Sequence, residues 1–123
     1  SLAKVDFINS VFGGYNLNPK RGIVIDGGQV RIQQVHFRAN GSEAEQEAGV
    51  RLQSGNLAVY ASVFSHIGPI REGRFSKQEN VTDVRIGRDA GEAVIVCNAA
   101  RDKFRLVTQN ALVSPLAAAN VSM

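Results

Sequence analysis

The sequence predicts an all-β fold, a parallel β-solenoid of about four stacked coils, because two short patterns recur in a shared order. One pattern of alternating apolar residues ends in Phe and begins at Val5, Val30 and Leu57, at intervals of 25 and 27 residues. The other is an apolar–any–apolar triplet that follows Gly or Asp, and its copies begin at Ile23, Val50 and Val84. The common order of the two patterns indicates a chain built from equivalent units.

The repeated segments are predicted to be strands because their apolar residues alternate, whereas apolar residues of a helix recur at three and four positions. Gly, Asn and Asp between the segments mark turns. Equivalent strands of successive coils then pair in parallel, about 4.8 Å apart. Apolar side chains are expected to stack in columns, which are Ile23-Val50-Val84, Ile25-Leu52-Ile86, Val5-Val30-Leu57-Val94, Phe7-Ile32-Val59-Val96 and Phe12-Phe37-Phe64.

The Phe column is the most informative of these, because stacked rings bury a large area at one level of every coil. The chain has six Phe and no Trp, which suits a narrow interior. Between the columns, one bend is predicted where Asn tolerates a left-handed backbone and bonds to its neighbour. The residues expected at this bend are Asn9, Gln34, Ala61 and Asn98.

Length and composition limit the chain to one domain. Its 123 residues are expected to form stacked coils over 1–104 and a last coil, with a cap or subunit contact, over 105–123. A hydrophobic fraction of 44% excludes a disordered chain, and no apolar run reaches the roughly 18–20 residues that cross a bilayer. A single Cys and two His predict no disulfide, no metal site and no cofactor.

The arrangement resembles the right-handed parallel β-helix of the pectate-lyase-like superfamily, which includes polysaccharide lyases, pectin hydrolases and phage tailspikes. Residues 3–64 carry the resemblance best, and 83–101 carry a weaker copy. The rival interpretation, a β-propeller, requires about 40–45 residues per blade and a recurring Trp. The resemblance implies architecture more strongly than activity, because many unrelated sites are built on this scaffold.

Three loops leave the predicted coils at the same corner, and insertions on one side of a solenoid commonly line its working surface. They occupy residues 13–21, 38–48 and 65–82. Beside them, Arg51 and Arg85 are expected in one outward column, one rung apart, with Asp26 and Gln53 nearby. Either an anion bridges the two guanidinium groups, or both are solvated and fan apart.

The resemblance implies a segment of a polysaccharide-binding or polysaccharide-degrading protein, of the tailspike depolymerase or lyase kind. The expected carbohydrate-binding residues are Arg51, Gln53, Arg85, Arg71, Arg74 and Tyr15, and the catalytic candidates are Asp26, Arg51 and Arg85. A hydrolase requires two carboxyl groups, and a lyase requires a base beside a cationic group. The paired aspartates of the hydrolase branch and the calcium cluster of the lyase branch are not evident, so catalysis stays open.

The alternative is a non-catalytic structural or adhesive rod segment that oligomerises, with activity elsewhere in a parent chain. The expected partners are an extended, acidic polysaccharide and other copies of the chain in a homotrimer, at an extracellular, cell-surface or virion location. Nucleic acid is not expected, because no aromatic residues alternate with the basic ones, and no membrane is expected. The first residue is Ser1, which suggests a piece of a longer chain or a processed product. His36 is expected to be exposed and Cys97 to lie on a wall.

Overall fold

The computed structural model describes most of the chain, and within the described ranges it contains thirteen strands and no helix. These ranges are 3–12, 22–37, 48–65, 70–71, 74–75, 82–101, 103–112 and 115–122. The strands are β1 (Lys4–Ile8), β2 (Val11–Phe12), β3 (Ile23–Gln33), β4 (His36–Phe37), β5 (Ala48–Tyr60), β6 (Val63–Phe64), β7 (Ile70–Arg71), β8 (Arg74–Phe75), β9 (Thr82–Val96), β10 (Ala99–Ala100), β11 (Leu106–Thr108), β12 (Leu116–Ala118) and β13 (Val121–Ser122). The prediction of an all-β chain is confirmed.

The strands build two parallel sheets. Within each sheet the strands are arranged in the order in which they occur along the chain. The larger sheet has the order β1-β3-β5-β9-β11, and β12 also pairs with β9. The smaller sheet has the order β2-β4-β6-β10-β13, with every pair parallel. Only the small β7–β8 pair among the described strands is antiparallel. Parallel pairing between equivalent segments is therefore confirmed.

Four of the five predicted columns begin in the expected register. Ile23 pairs with Val50 and Val50 with Val84, and the Ile25, Leu52 and Ile86 set pairs likewise. Val5 and Phe7 of β1 oppose the predicted partners in β3. The members of these columns in β5 are almost fully buried, with exposures of 0% to 3%. Burial of alternate residues on the inner face of the paired strands provides the apolar core.

The fifth column, of phenylalanines, is also in register along its backbone. Phe12 pairs with Phe37, and Phe37 pairs with Phe64. The rings of Phe37 and Phe64 stack with centroids 4.5 Å apart and planes 2° from parallel. The ring of Phe104 then meets Phe64 edge-on at 5.6 Å. The side chain of Phe12 lies outside the described part of the structure.

The predicted register of the copy around Val94 is wrong by one residue. Ala93 and Ile95, not Val94 and Val96, continue the inward columns, with exposures of 4% and 0%, while Val94 is 37% exposed. Register shifts between β5 and β9 place extra residues in β9 before this segment. Because side chains alternate along a strand, a shift of one residue moves each of them to the other face.

The bend between the two sheets has the same backbone conformation in every copy. A positive φ of 51° to 56° occurs at one residue of each bend, at Asn9, Gln34, Ala61, Cys97 and Ala119. The expectation for Asn98 is wrong because the register slip makes Cys97 the bend residue. At the last of these bends, the segment from Leu116 to Ser122 extends both sheets by one further strand.

Asn98 lies inside the bend and is 1% exposed. Its Oδ1 accepts a hydrogen bond from the Ser62 amide at 3.0 Å, and its Nδ2 donates to the Val59 carbonyl at 3.1 Å. Nδ2 also donates to Oδ1 of Asn120 at 3.0 Å, and the Ser62 hydroxyl accepts from the Val35 amide at 3.2 Å. This ladder of side chains satisfies backbone groups that the left-handed residue removes from the sheets.

Replacing Gly49 with Ala is expected to lower the free energy of unfolding by about 1–3 kcal/mol. A Cβ atom at this position would lie 2.8 Å from Cδ1 of Phe64 and 2.9 Å from the Asp83 carbonyl oxygen. Urea denaturation followed by circular dichroism measures the effect. Gly87→Ala is the control and should cost less, because its nearest atom, the Leu52 carbonyl oxygen, would be 3.1 Å away. Equal stabilities for both variants and the parent would contradict close packing at Gly49.

Candidate functional site

Arg51 and Arg85 are direct neighbours on the outer face of the larger sheet. They pair in register on β5 and β9, as the sequence predicts, and Val24 and Val107 occupy the flanking positions on β3 and β11. Adjacent strands lie about 4.8 Å apart. Both arginines are half-buried. Their common position follows from the alternation of the strands, which turns Leu52 and Ile86 inward and the preceding arginines outward.

The two arginines line an open depression of about 310 Å³, here called the arginine groove. Its other lining residues are polar or Gly, namely Asp26, Gln53, Ser54, Gly87, Arg88, Asp89 and Gln109. The sequence-predicted residues Asp26, Arg51, Gln53 and Arg85 are thus brought together. With three arginines and two aspartates, the lining carries a net positive charge, which favours an anionic ligand.

Ser54, Arg88, Asp89 and Gln109 of this groove were not found from the sequence. Ser54 opposes both Asp26 and Asp89, and its hydroxyl donates a hydrogen bond to Oδ1 of Asp26 at 2.8 Å. The sequence places Gln53 beside Asp26, which is wrong because a register shift after Ile25 makes Gln53 the extra residue. The signal that marks this irregularity is the cluster of glycines at Gly27, Gly28 and Gly55, whose φ values are 108°, 77° and 90°.

Nε of Arg85 is buried and has no hydrogen-bond partner among the described residues. A buried donor without a partner costs about 1–3 kcal/mol relative to a satisfied one. Guanidinium donors lie in a fixed plane that matches a carboxylate, sulfate or phosphate. The Nε atom itself is shielded from solvent, so a ligand oxygen in the arginine groove would meet the part of the half-buried Arg85 side chain that lines the groove.

The remaining sequence-predicted residues, or their side chains, lie outside the described part of the structure. Tyr15 is one of them. Arg71 and Arg74 oppose each other in the β7–β8 pair, and their side chains are outside the described part. Their expected carbohydrate contacts therefore stay predictions.

His36 lies on β4, inside the smaller sheet, and Cys97 lies at the bend before β10 rather than on a wall as expected. His36, expected to be exposed, is half-buried, and its Nε2 lies 2.6 Å from Oγ of Ser65 on the neighbouring segment. The Ser65 amide donates to the Phe37 carbonyl at 3.0 Å, so the His36–Ser65 contact adds to this backbone pairing. Cys97 is exposed at its bend.

The strands and the arginine groove define an all-β protein of parallel sheets with a polar, net positive groove on the outer face of its larger sheet. Within the described ranges, no three His, Cys, Asp or Glu residues are placed to hold a metal ion together. Those ranges also contain no helix with the length and apolar character to cross a membrane. No family model, no curated protein and no solved structure matches the chain.

Proposed function

We propose that the chain is a segment of a right-handed parallel β-helix that binds extended, acidic polysaccharides along the arginine groove. The β-helix is supported by parallel pairing in chain order and by the bend that recurs at equivalent residues. The observation that carries the binding proposal is the in-register pair Arg51 and Arg85 within one groove. We place the protein at an extracellular, cell-surface or virion location, where such polymers occur.

The groove has the chemistry that an acidic glycan needs. Arg51 and Arg85 are spaced by one strand separation, about 4.8 Å, so one uronate carboxylate can accept hydrogen bonds from both. Planar polar side chains next to them, among them Asp26 and Gln53, offer donors and acceptors to sugar hydroxyl groups. Because the lining residues come from several strands in succession, the groove suits a polymer better than a single sugar.

Catalysis is an open part of this proposal. Asp26 and Asp89 are two strands apart, with Ser54 between them, which corresponds to about 9–10 Å of backbone separation. Inverting glycoside hydrolases hold two carboxyl groups about 6.5–9.5 Å apart. A lyase would instead require a base beside a cationic group, and the arginines of the groove supply the cationic group. Analysis of the cleaved oligosaccharides distinguishes the two activities, because a lyase leaves an unsaturated sugar at the new chain end and a hydrolase does not.

The double variant Arg51→Ala, Arg85→Ala is expected to bind oligogalacturonate more than tenfold more weakly than the parent chain, because both guanidinium groups are lost. Isothermal titration calorimetry measures the affinity. Arg101→Ala is the matched control, since Arg101 is exposed, follows β10 of the smaller sheet and does not line the arginine groove. Unchanged affinity of the double variant, at unchanged melting temperature, would refute binding at this groove.

A second candidate is a non-catalytic rod segment that oligomerises, which we propose as a homotrimer. The exposed apolar side chains near the end of the described chain favour it, with Leu112 96% exposed, Leu116 60% and Val121 56%. Exposed apolar patches are typical of protein contacts. Sedimentation equilibrium separates the two candidates: a concentration-independent monomer that binds oligogalacturonate supports the first, and a trimer without glycan affinity supports the second.

A further inference from the structure

A second depression, of about 490 Å³, lies on the outer face of the larger sheet. Along the strands, Gly27, Gly28 and Gly55 separate it from the arginine groove. We call it the amide groove. Its polar lining residues come from four strands and are Lys4, Asp6, Gln29, Arg31, Asn56 and Glu92, and its apolar lining residues are Val30, Leu57, Ala58 and Val94. None of these residues lines the arginine groove, so the two depressions are separate surfaces.

The strand register explains the shape of the amide groove. Lys4, Gln29 and Asn56 occupy one outward position on successive strands. Arg31 and Ala58 share the outward position two residues further along. The small side chain of Ala58 leaves space next to the long side chain of Arg31, and Leu57, which is 3% exposed, lies beneath. The amide groove therefore has an apolar base, and amide side chains lie along its border.

The charges of the amide groove are balanced. Lys4 and Arg31 are matched by Asp6 and Glu92. Arg31 is held by Asp6 in a bidentate pair, with Nε to Oδ1 and NH2 to Oδ2 both at 3.1 Å. The hydrogen bonds and negative charge of Asp6 raise the pKa of Arg31 above its usual value. The guanidinium group is therefore already paired, in contrast to the buried Nε of Arg85 in the arginine groove.

The other polar side chains that line the groove are the neutral amides of Gln29 and Asn56 and the oppositely charged Lys4 and Glu92. The side chain of Gln29 makes no hydrogen bond to other described residues, and Oδ1 of Asn56 accepts one from the Glu92 amide at 2.8 Å. An amide both donates and accepts, as does a sugar hydroxyl group. The apolar base complements the C–H face of a sugar ring. A charge-balanced groove with these features favours an uncharged, polyhydroxylated ligand.

The amide groove is open toward the end of the described chain. A neighbouring depression of about 710 Å³ shares Asn56, Glu92 and Val94 with it and continues to Leu112 and Leu116. A ligand can therefore extend beyond the groove along the direction in which the strands stack. This continuity favours an oligosaccharide over a single sugar.

We propose that the amide groove binds uncharged saccharide units, independently of the arginine groove. The inference extends the proposed saccharide binding to a second surface and a second ligand class. Together the two grooves would suit a polymer that combines acidic and neutral sugars. The proposal is tested with linear glucan and mannan oligosaccharides as neutral probes and oligogalacturonate as the acidic probe.

Two variants remove different features of the amide groove. Gln29→Ala deletes an amide that has no other partner among the described residues, and Ala58→Ile fills the base with a side chain that strands accept. Each is expected to weaken binding of a neutral probe at least tenfold and to leave oligogalacturonate affinity unchanged. Gln33→Ala is the matched control, because this outward glutamine of the same strand bonds to Tyr60 outside the groove and should change neither affinity.

The outcomes separate this inference from the proposed function. Neutral binding that is lost in both groove variants, and kept in Gln33→Ala and in the Arg51→Ala, Arg85→Ala variant, supports the inference. No neutral binding by the parent chain overturns it, as does neutral binding that survives both groove variants at unchanged melting temperature. If neutral probes bind and oligogalacturonate does not, the arginine groove proposal fails while the amide groove stands.

Discussion

Replacing Phe37 with Ala should lower the free energy of unfolding by about 3–5 kcal/mol, the range for truncating a buried aromatic residue. Phe37 is 0% exposed and its ring stacks on that of Phe64 with centroids 4.5 Å apart. The variant loses the buried area of one ring and leaves a cavity between strands of the smaller sheet. These strands are only two residues long, so few backbone hydrogen bonds remain to hold them.

Urea denaturation followed by circular dichroism measures this effect, since the chain has no Trp for fluorescence. Phe37→Leu should lose less than Phe37→Ala because it retains part of the buried volume. Val11→Ala provides the surface control and should lie within about 0.5 kcal/mol of the parent, because Val11 is 66% exposed. A loss below about 1 kcal/mol for Phe37→Ala would show that the ring column does not stabilise the fold.

The second large effect is expected for Asn98→Ala, at about 2–4 kcal/mol of unfolding free energy. Truncation leaves the Ser62 amide and the Val59 carbonyl without their partner at the 1% exposed Asn98 position. Each buried polar group left unsatisfied costs about 1–3 kcal/mol. The bend cannot recover these bonds by itself, because the left-handed residue at Cys97 turns the backbone away from the sheet.

Hydrogen exchange at individual amides tests the origin of this loss. In the variant, the Ser62 amide should exchange faster, relative to global unfolding, than amides in the middle of β5. Asn110→Ala is the comparison, because Asn110 is only half-buried and its Nδ2 donates to the Ala90 carbonyl at 2.9 Å. Unchanged protection of Ser62 in Asn98→Ala would mean that water or another side chain replaces the lost acceptor.

Much of the candidate site was predictable because its determinants are local. The alternation of side chains turns Arg51 and Arg85 outward on equivalent strands, and the repeat places one beside the other. Ser54 and Asp89 were missed because their position depends on bulges, which add a residue to one strand of a pair. No local propensity states which of two neighbouring residues becomes the extra one, so Gln53 was placed where Ser54 lies.

Three features could be predicted from the amino-acid sequence alone: the strand content, the inward and outward sets in the first copies, and the parallel pairing of Phe37 on Phe64. These features are predictable because side chains alternate between the two faces of a strand, and because the two sequence patterns recur in the same order along the chain. The burial of Ile95 rather than Val96, and the set of side chains that lines each groove, depend on the folded arrangement of the strands. The reason is that register is set by hydrogen bonds to the neighbouring strand, and a predicted register that is off by one residue assigns every side chain of the segment to the wrong face.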